Sequence, residues 1–411
     1  MSGAGADGLS TRAVLWRFAP MIYGPTLLFG LGEGALLPLL PSIAASVGAD
    51  LSQAALIASV IVVARLIGNL PAGWLVARIG ERWTMAIAGA IALAGVLGLI
   101  FAQGLIVLAV SVFGIGLSAA AFGLARHAFM ATRVPRRYRA RALSVLGGSF
   151  RLGMFTGPFV AAALVAWTGT EQSAGWFFAG CLVAVVLLVL LGRDPEEELG
   201  PVAPPAAEPA RPEGVFRTMW RHRGVLLRVG GAAATLSGMR QARMYLLPLW
   251  GVSLGLGPEQ IALIIGLTGA LEFLLFYSSG QIMDRWGRLW ACLPSMILMA
   301  AAFLGLAFTH DLASATGWFL AGAVVVGIGN GLSSGILMTL GADLAPVGDP
   351  APFLGSWRML SDAGAAGAPL LIAGVTALAS LPVATFVIGV IGLFGAVGFA
   401  VYIPRYLPHR R

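Results

Sequence analysis

Long apolar runs occupy most of this 411-residue sequence and constrain its fold more than any other feature. Twelve of them are long enough to cross a bilayer, which needs about 20 residues in helical form. Lipid offers no partners for backbone hydrogen bonds, so a spanning segment must satisfy its own, as an α-helix does. The sequence therefore predicts an all-α integral membrane protein. The predicted helices are residues 18–44, 52–76, 83–103, 105–128, 141–167, 173–192, 225–251, 260–283, 289–309, 314–341, 353–378 and 382–403.

Composition supports lipid as the solvent of this chain. Hydrophobic residues make up 58% of the sequence and charged residues only 11%, whereas a soluble domain carries about 25% charged residues. Cys181 and Cys292 lie inside apolar runs and predict neither a disulfide framework nor a metal site. The sequence has no phosphate-binding loop and no arrangement of nucleophile and base. We therefore expect neither an enzyme nor a bound cofactor, and the net charge of +8 needs no nucleic-acid partner to explain it.

Arginines alternate between the connecting segments in a way that predicts the orientation in the membrane. They occur before the first helix, in every second loop, and after the last helix. By the positive-inside rule, both termini are cytoplasmic, in agreement with an even number of spans. All 26 basic residues are arginines, and alanine and glycine are abundant, which suggests a GC-rich bacterial gene. We therefore expect a multi-pass protein of the bacterial inner membrane.

The two halves of the sequence repeat each other. Gly73 and Gly80 in the first half correspond to Gly280 and Gly287 in the second, in both cases 207 positions later. A repeat of constant offset indicates a duplication, so two pseudo-symmetric six-helix bundles are predicted. Their bounds are 1–192 and 223–411, joined by an acidic, proline-rich cytoplasmic linker at 193–222. This organisation is typical of secondary transporters, whose halves move around a shared site.

Charged residues inside the apolar runs follow a threefold rhythm. Helices 3, 6, 9 and 12 contain none, which predicts that these helices face lipid and that the others line a polar cavity. The charges at helix interiors are Glu33, Arg65, Arg126, Arg151, Arg240, Arg243, Glu272, Arg358 and Asp362. The repeat pairs Glu33 with Arg240 and Arg65 with Glu272, so an acid and a base exchange places between the halves.

This exchange suggests that Glu33 pairs with Arg65, and Arg240 with Glu272, which would lower the cost of each buried charge. Two interpretations stay open. The pairs either hold helices together statically or release an arginine when the acid is protonated. On the second interpretation, the proton-coupling candidates are Glu33, Glu272 and Asp362.

Arginines outnumber acids in the interior, which favours an anionic or acid-bearing solute. Arg126 and Arg358 could instead lie at the cytoplasmic mouth and be solvated. Asn330 could contact a solute or pack against a neighbouring helix. The candidates for charge partners or substrate ligands are Arg65, Arg126, Arg151, Arg240, Arg243 and Asn330.

A loop signature, Gly-x-x-x-Asp-Arg-x-Gly-Arg, makes the chain resemble the major facilitator superfamily over all twelve helices. The second-half copy is Gly280, Asp284, Arg285, Gly287 and Arg288, and the first-half copy is Gly73, Arg78 and Gly80, with Ala77 at the acidic position. The resemblance implies cytoplasmic gating contacts from Asp284 to Arg139 or Arg141 and from Arg285 to Asp343. Without the acid, the first-half contact is expected to be weaker.

Helix 5 carries Gly153, Gly157 and Pro158, which resemble the core of a signature of proton-coupled drug antiporters in that superfamily. Helix 11 has a partial echo in Gly364, Gly367 and Pro369. The arginine that those antiporters place in helix 4 is absent from 110–116. The resemblance implies proton-coupled export of a small organic compound by alternating access, in a lipid-embedded monomer. Proton-linked uptake of a small organic anion is the alternative, and a non-transporting membrane sensor a remote one.

Overall fold

The computed structural model describes residues 19–133, 136–192, 219–346 and 351–407, and the regular elements within these ranges are all helical. The described residues of the first half of the chain form six helices. Helix α1 joins a π-helical turn, Ala19–Tyr23, to Gly24–Leu36, Leu37–Leu39 and Leu40–Ser46. The stretch Leu51–Ile100 is divided at Gly80 into α2 (51–79) and α3 (81–100). The remaining helices are α4 (Leu105–Arg133), α5 (Arg136–Thr168) and α6 (Gln172–Leu191).

The described residues of the second half also form six helices, so the predicted twelve are confirmed. Helix α7 consists of Arg223–Val225, the π-helical turn Leu226–Gly230 and Gly231–Ser253. It is followed by α8 (Pro258–Arg285) and α9 (Arg288–Ala307). Helix α10 has two parts, Ala315–Leu332 and Ile336–Leu344, and is followed by α11 (Ala351–Leu378) and α12 (Leu381–Tyr406).

Helix α7 differs in composition from the other eleven. Among the described residues, eleven helical segments are long and apolar enough to cross a membrane, and α7 is not one of them. Arg240, Gln241 and Arg243 follow closely in its middle and lower its mean hydropathy. A helix with such a polar middle must cover these side chains with protein rather than lipid.

The chain forms two compact units, made of the described parts of Met1–Gly48 with Val60–Glu208 and of Ala49–Ser59 with Pro209–Arg411. In the first unit α1 packs against α5 and α6, and in the second α7 packs against α11 and α12. Gly116 of α4 lies against the backbone of α2 at Ile61. In the second half, Gly327 of α10 likewise lies against the backbone of α8 at Thr268. The predicted linker at 193–222 lies mostly outside the described residues.

Backbone geometry explains why the repeat retains certain glycines. Gly80 has φ 78° and ψ 173°, and Gly287, its partner in the repeat, has φ 93° and ψ 169°. Gly48 and Gly255 form a second such pair, with φ of 90° and 72°. Only glycine adopts these conformations without strain, because a Cβ would clash with the backbone. Each pair ends or divides a helix at the same place in both units.

Helix capping explains the retained glutamines. Oε1 of Gln53 accepts a hydrogen bond from the Asp50 backbone N–H at 2.9 Å, at the start of α2. Oε1 of Gln260 accepts one from Gly257 N–H at 3.2 Å, at the start of α8. A helix start leaves backbone donors without internal acceptors, and these side chains satisfy one of them at each of the two repeat-related helix starts.

Candidate functional site

In the first unit, Glu33 on α1 forms an ion pair with Arg65 on α2, as predicted. Glycines on α1 bring this acid into the interior. Gly34 lies against Met154 of α5, and Gly32 lies against the ring of Phe178 on α6. Glu33 is only 2% exposed, whereas the Arg65 side chain is 32% exposed. The acid is therefore held away from water, and protein rather than solvent stabilises its charge.

Arg126 of α4 lies in the same unit and has a different environment. Its guanidinium carbon is 4.7 Å from the ring centroid of Phe150 and 5.8 Å from that of Phe122. Its Nε and Nη1 atoms are buried and have no hydrogen-bond partner. Arg65 is near enough to repel it electrostatically. Arg126 as a whole is partly exposed, so its two nitrogens are covered while the alternative of a position at the cytoplasmic mouth stays open.

In the second unit, Glu272 on α8 pairs with an arginine of α7, but the contact is made by Arg243. Nη2 of Arg243 lies 2.8 Å from Oε2 of Glu272, and the side chains are 10% and 30% exposed. The repeat predicted Arg240 in this role. Arg240 and Arg243 are one helical turn apart on the same face of α7, so an offset between halves does not select one of them. The predicted Arg240–Glu272 contact stays a prediction.

Arg240 forms hydrogen bonds at a break in α10. Its Nε donates to Oδ1 of Asn330 at 2.9 Å, and its Nη2 donates to the carbonyl of Ser333 at 3.2 Å. The hydroxyl of Ser279 on α8 donates to the carbonyl of Ser334 at 2.9 Å. Side chains of two neighbouring helices thus satisfy carbonyls that the break in α10 frees.

Sequence reasoning missed this break and predicted a continuous helix at 314–341. Gly335 has φ 81° and ends the gap between the two parts of α10. Non-helical backbone at membrane depth is stable only when protein groups or a polar cavity satisfy it. The signal that could have shown the break is the run Ser333-Ser334-Gly335 directly after an apolar stretch.

Two other candidates lie at exposed positions. Asp362 and Arg358 on α11 form an i,i+4 ion pair at 3.6 Å, with side chains 58% and 76% exposed. Arg151 on α5 is also exposed. An exposed pair at this distance contributes little to stability. No group of three or more His, Cys, Asp and Glu residues in the described part of the chain could hold a metal ion.

The second-half loop contact differs from the expectation in one partner. Asp343 at the end of α10 is bound by Arg288, whose Nε lies 2.7 Å from Oδ2, rather than by Arg285. Arg288 also donates to the carbonyl of Met283 at 3.1 Å. Arg285 and Asp284 are exposed, and the side chains of Arg139 and Arg141 lie outside the described residues. The predicted contact of Asp284 therefore stays a prediction.

The glycines of the two loop signatures have different roles. Gly80 and Gly287 adopt positive φ and form the turns. A Cβ at Gly73 would make only an ordinary van der Waals contact, 3.8 Å from the side chain of Leu124. A Cβ at Gly280 would have no neighbouring atom within 4 Å. Gly73 and Gly280 therefore do not serve a close approach of helices.

The first-half loop has a contact that the sequence did not reveal. Arg82 donates from Nε to the carbonyl of Val189 at 3.0 Å and from Nη2 to that of Gly192 at 3.0 Å, and it also binds the carbonyl of Leu190. These carbonyls lie at the end of α6, where helices lack internal donors. Arg78 lies 5.5 Å from the ring of Trp74. The loop without its aspartate is thus fixed to α6 by Arg82.

The helix 5 motif packs α5 tightly against α1. A Cβ at Gly153 would lie 2.5 Å from the carbonyl oxygen of Leu27, and one at Gly157 would lie 2.5 Å from that of Leu31. Pro158 follows inside the same helix. Such backbone contact requires glycine and places α5 directly beside the helix that carries Glu33.

In the related motif of helix 11, only one of the two glycines allows close packing against a neighbouring helix. A Cβ at Gly364 would lie 2.1 Å from the carbonyl oxygen of Ala234 on α7, but one at Gly367 would meet nothing within 4 Å. Pro369 lies inside α11. Gly364 is the repeat counterpart of Gly157, which explains why this glycine alone makes the close contact.

Known proteins provide an independent comparison. The Major Facilitator Superfamily profile matches residues 25–366. No curated protein has significant sequence similarity to this chain. An auto-inhibited POT family peptide transporter is similar in structure, with a TM-score of 0.75, 15% identity, and coverage of 95% of this chain and 97% of that one.

Two further solved structures are similar over 96% of this chain and 97% of their own. One is a POT family transporter in complex with a thioalcohol-conjugated peptide, with a TM-score of 0.74 and 13% identity. The other is a POT family transporter in complex with 5-aminolevulinic acid, with a TM-score of 0.73 and 14% identity. At such low identity these similarities establish the fold, and the profile match establishes the family. The chain belongs to the major facilitator superfamily of membrane transporters.

Proposed function

We propose that this transporter couples the movement of a small organic compound to that of protons, with Glu33 as the group that takes up the proton. The supporting observation is the burial of Glu33 in an apolar helix beside Arg65. An ionised buried acid depends on its partner, since removal of either charge leaves the other uncompensated. Protonation of Glu33 would therefore release Arg65, and a conformation that binds Arg65 differently would become more populated.

Two directions of transport are candidates, each with its own supporting observation. Export is favoured by the glycines of α5, which pack against α1 beside Glu33 and resemble a motif of proton-coupled drug antiporters. Uptake of a small organic anion is favoured by Arg126, a partly buried cation whose Nε and Nη1 lack an acceptor and whose described contacts are aromatic. In export the proton and the compound exchange, and in uptake they move together.

The proposed location is the bacterial inner membrane, with both termini in the cytoplasm and a monomer as the working unit. The supporting observation is the alternation of arginine-containing loops along the sequence. Cysteine-accessibility labelling at residue 3 and at residue 171 in intact cells tests the orientation. Labelling of residue 3 from outside the cells would contradict it.

Reconstitution tests the coupling. A compound identified by comparing its accumulation in cells with and without the protein is loaded into proteoliposomes, and a pH gradient is imposed. We expect the gradient to drive accumulation by the wild type. Glu33→Gln should lose this accumulation but keep exchange of labelled for unlabelled compound, because exchange needs no net proton transfer.

Glu171→Gln is the matched control, since Glu171 lies at the start of α6 in a loop and forms no described cap. It should behave like the wild type. Accumulation by Glu33→Gln at the wild-type level would overturn the assignment of the proton site. The direction of proton movement on addition of compound distinguishes export from uptake.

A further inference from the structure

Arg126 differs from the interior arginines that bind an acid or an amide. Arg65 pairs with Glu33, Arg243 pairs with Glu272, and Arg240 binds Asn330. The described contacts of Arg126 are instead the faces of Phe122 and Phe150. Its Nε and Nη1 atoms are buried without an acceptor. Two nitrogen atoms of one guanidinium therefore have hydrogen-bond donors that no acceptor satisfies.

Arg126 is partly exposed as a residue, but its Nε and Nη1 atoms are buried without an acceptor. Covering donors of a cation in this way is costly, and an apolar side chain of similar volume would make the same site more stable. Packing therefore gives no reason for an arginine at this position. Like-charge repulsion from Arg65 adds to the cost. Together Glu33, Arg65 and Arg126 carry one negative and two positive charges, so a single anionic group would neutralise the cluster.

We infer that the first unit contains a subsite for the anionic group of the transported compound, with Arg126 as its anchor. The planar guanidinium offers paired donors that match a carboxylate, phosphate or sulfonate. Phe122 and Phe150 restrict its rotation and exclude water, which strengthens an ionic contact. This inference rests on the proposed function, because it assigns a chemical class to the compound that the transporter moves.

The cluster also links anion binding to the charge of Glu33. The charged or titratable groups of the spanning segments around Glu33 are Arg65 on α2, Arg126 and the exposed His127 on α4, Arg151 on α5, Cys181 on α6 and Tyr23 on α1. Protonation of Glu33 removes the negative charge of the cluster and frees Arg65 as a second donor. Affinity for the anion should therefore rise as pH falls, so proton and anion would bind together. An antiporter would show the opposite sign, because its two ligands compete.

Binding to the purified full-length protein in detergent tests the subsite without requiring transport. The probes are a panel of small aromatic and aliphatic carboxylates, each paired with its neutral amide, and the readout is the shift in Tm. We expect some carboxylates to raise the Tm of the wild type and their amides not to. Detergent without added phospholipid ensures that a lipid headgroup is not the source of the anion.

Variants at Arg126 separate a binding role from a structural one. Arg126→Met should raise the Tm of the unliganded protein, because it removes an uncompensated charge, and should weaken carboxylate binding at least about tenfold. Arg126→Lys should retain part of the binding. Arg223→Gln is the control, since Arg223 is exposed and lies beside Trp220, and it should bind like the wild type.

Each outcome bears on the subsite. A lower unliganded Tm in Arg126→Met, with unchanged carboxylate binding, would show that Arg126 is structural and would overturn the inference. Equal stabilisation of the wild type by acids and their amides would overturn it as well. A failure of the proposed function gives another pattern of results. In that case the carboxylates would bind through Arg126, but a pH gradient would drive no accumulation in proteoliposomes.

Discussion

Arg243 Nη2 lies 2.8 Å from Glu272 Oε2 and joins α7 to α8 within the second unit. The first unit joins α1 to α2 through Glu33 and Arg65, with the acid on the other helix of the pair. Both units therefore neutralise an interior acid with an arginine from the adjacent helix, but with the charges exchanged. In each unit, protonation or substitution of this acid would therefore remove a charge that its arginine partner contacts.

We predict that Glu272→Gln lowers the stability of the second unit. Arg243 is only 8% exposed, so removal of the negative charge leaves a buried cation uncompensated. The cost should be about 1–3 kcal/mol, which lowers the Tm by several degrees. Adding Arg243→Met to this variant should restore most of the loss. Thermal unfolding followed by tryptophan fluorescence measures both, and a double variant less stable than Glu272→Gln would contradict the pairing.

Alanine at packed glycines should destabilise the helix pairs that these glycines hold together. Gly157→Ala would place a Cβ 2.5 Å from the Leu31 carbonyl oxygen, and we expect a loss of about 1–3 kcal/mol. Gly148→Ala on the same helix meets nothing within 4 Å and should be neutral or stabilising. In α11, Gly364→Ala should destabilise and Gly367→Ala should not. Equal Tm values for the members of either pair would contradict the contacts.

Arg82 should stabilise the end of α6. Arg82→Gln removes the forked donors to the carbonyls of Val189 and Gly192, and hydrogen exchange at 186–192 should become faster. The expected cost is about 1–2 kcal/mol, because these hydrogen bonds come from a charged donor. Arg78→Gln in the same loop is the control, since Arg78 is exposed beside Trp74. Faster exchange in both variants alike would show that loop charge, rather than this contact, protects α6.

The start of α2 should become less stable in acid. The hydroxyl of Ser52 donates to Asp50 Oδ1 at 2.7 Å, and Gln53 N–H donates to the same oxygen at 2.8 Å. These hydrogen bonds lower the pKa of Asp50 below its ordinary value, the Ser52 contribution being the larger. A lowered carboxyl pKa stabilises the folded form above the unfolded pKa, and this stabilisation is lost as pH falls through the folded pKa.

Hydrogen exchange at the start of α2 measures this effect. Protection in the wild type, relative to Asp50→Asn at the same pH, should be greatest near neutral pH and should begin to fall once the pH drops below about 4. The matched site is the start of α8, where Gly257 occupies the equivalent position and carries no carboxyl group. An acid-dependent loss of the same size at α8 would point to global unfolding instead.

Two described ion pairs join the predicted helices through an arginine that the sequence did not single out. Glu272 was expected to bind Arg240, and Arg243 makes the described contact. Asp343 was expected to bind Arg285, and Arg288 makes that contact. In each case the observed residue is three positions later. Helical periodicity identifies which face a residue occupies, but one turn of rise separates neighbours on that face, and only packing selects between them.

The sequence by itself determined the twelve spans, the duplication and the presence of interior charges of both signs. These follow from local rules: the length of an apolar run, the exclusion of free backbone groups from lipid, and constant spacing. Only the tertiary structure decided that α10 breaks at Ser333 and that Arg82 binds the end of α6. It also decided that Arg126 contacts two phenylalanine rings and that its buried Nε and Nη1 have no acceptor. These features depend on distances between helices far apart in the chain, where backbone contact, burial and the position of each guanidinium are set by packing.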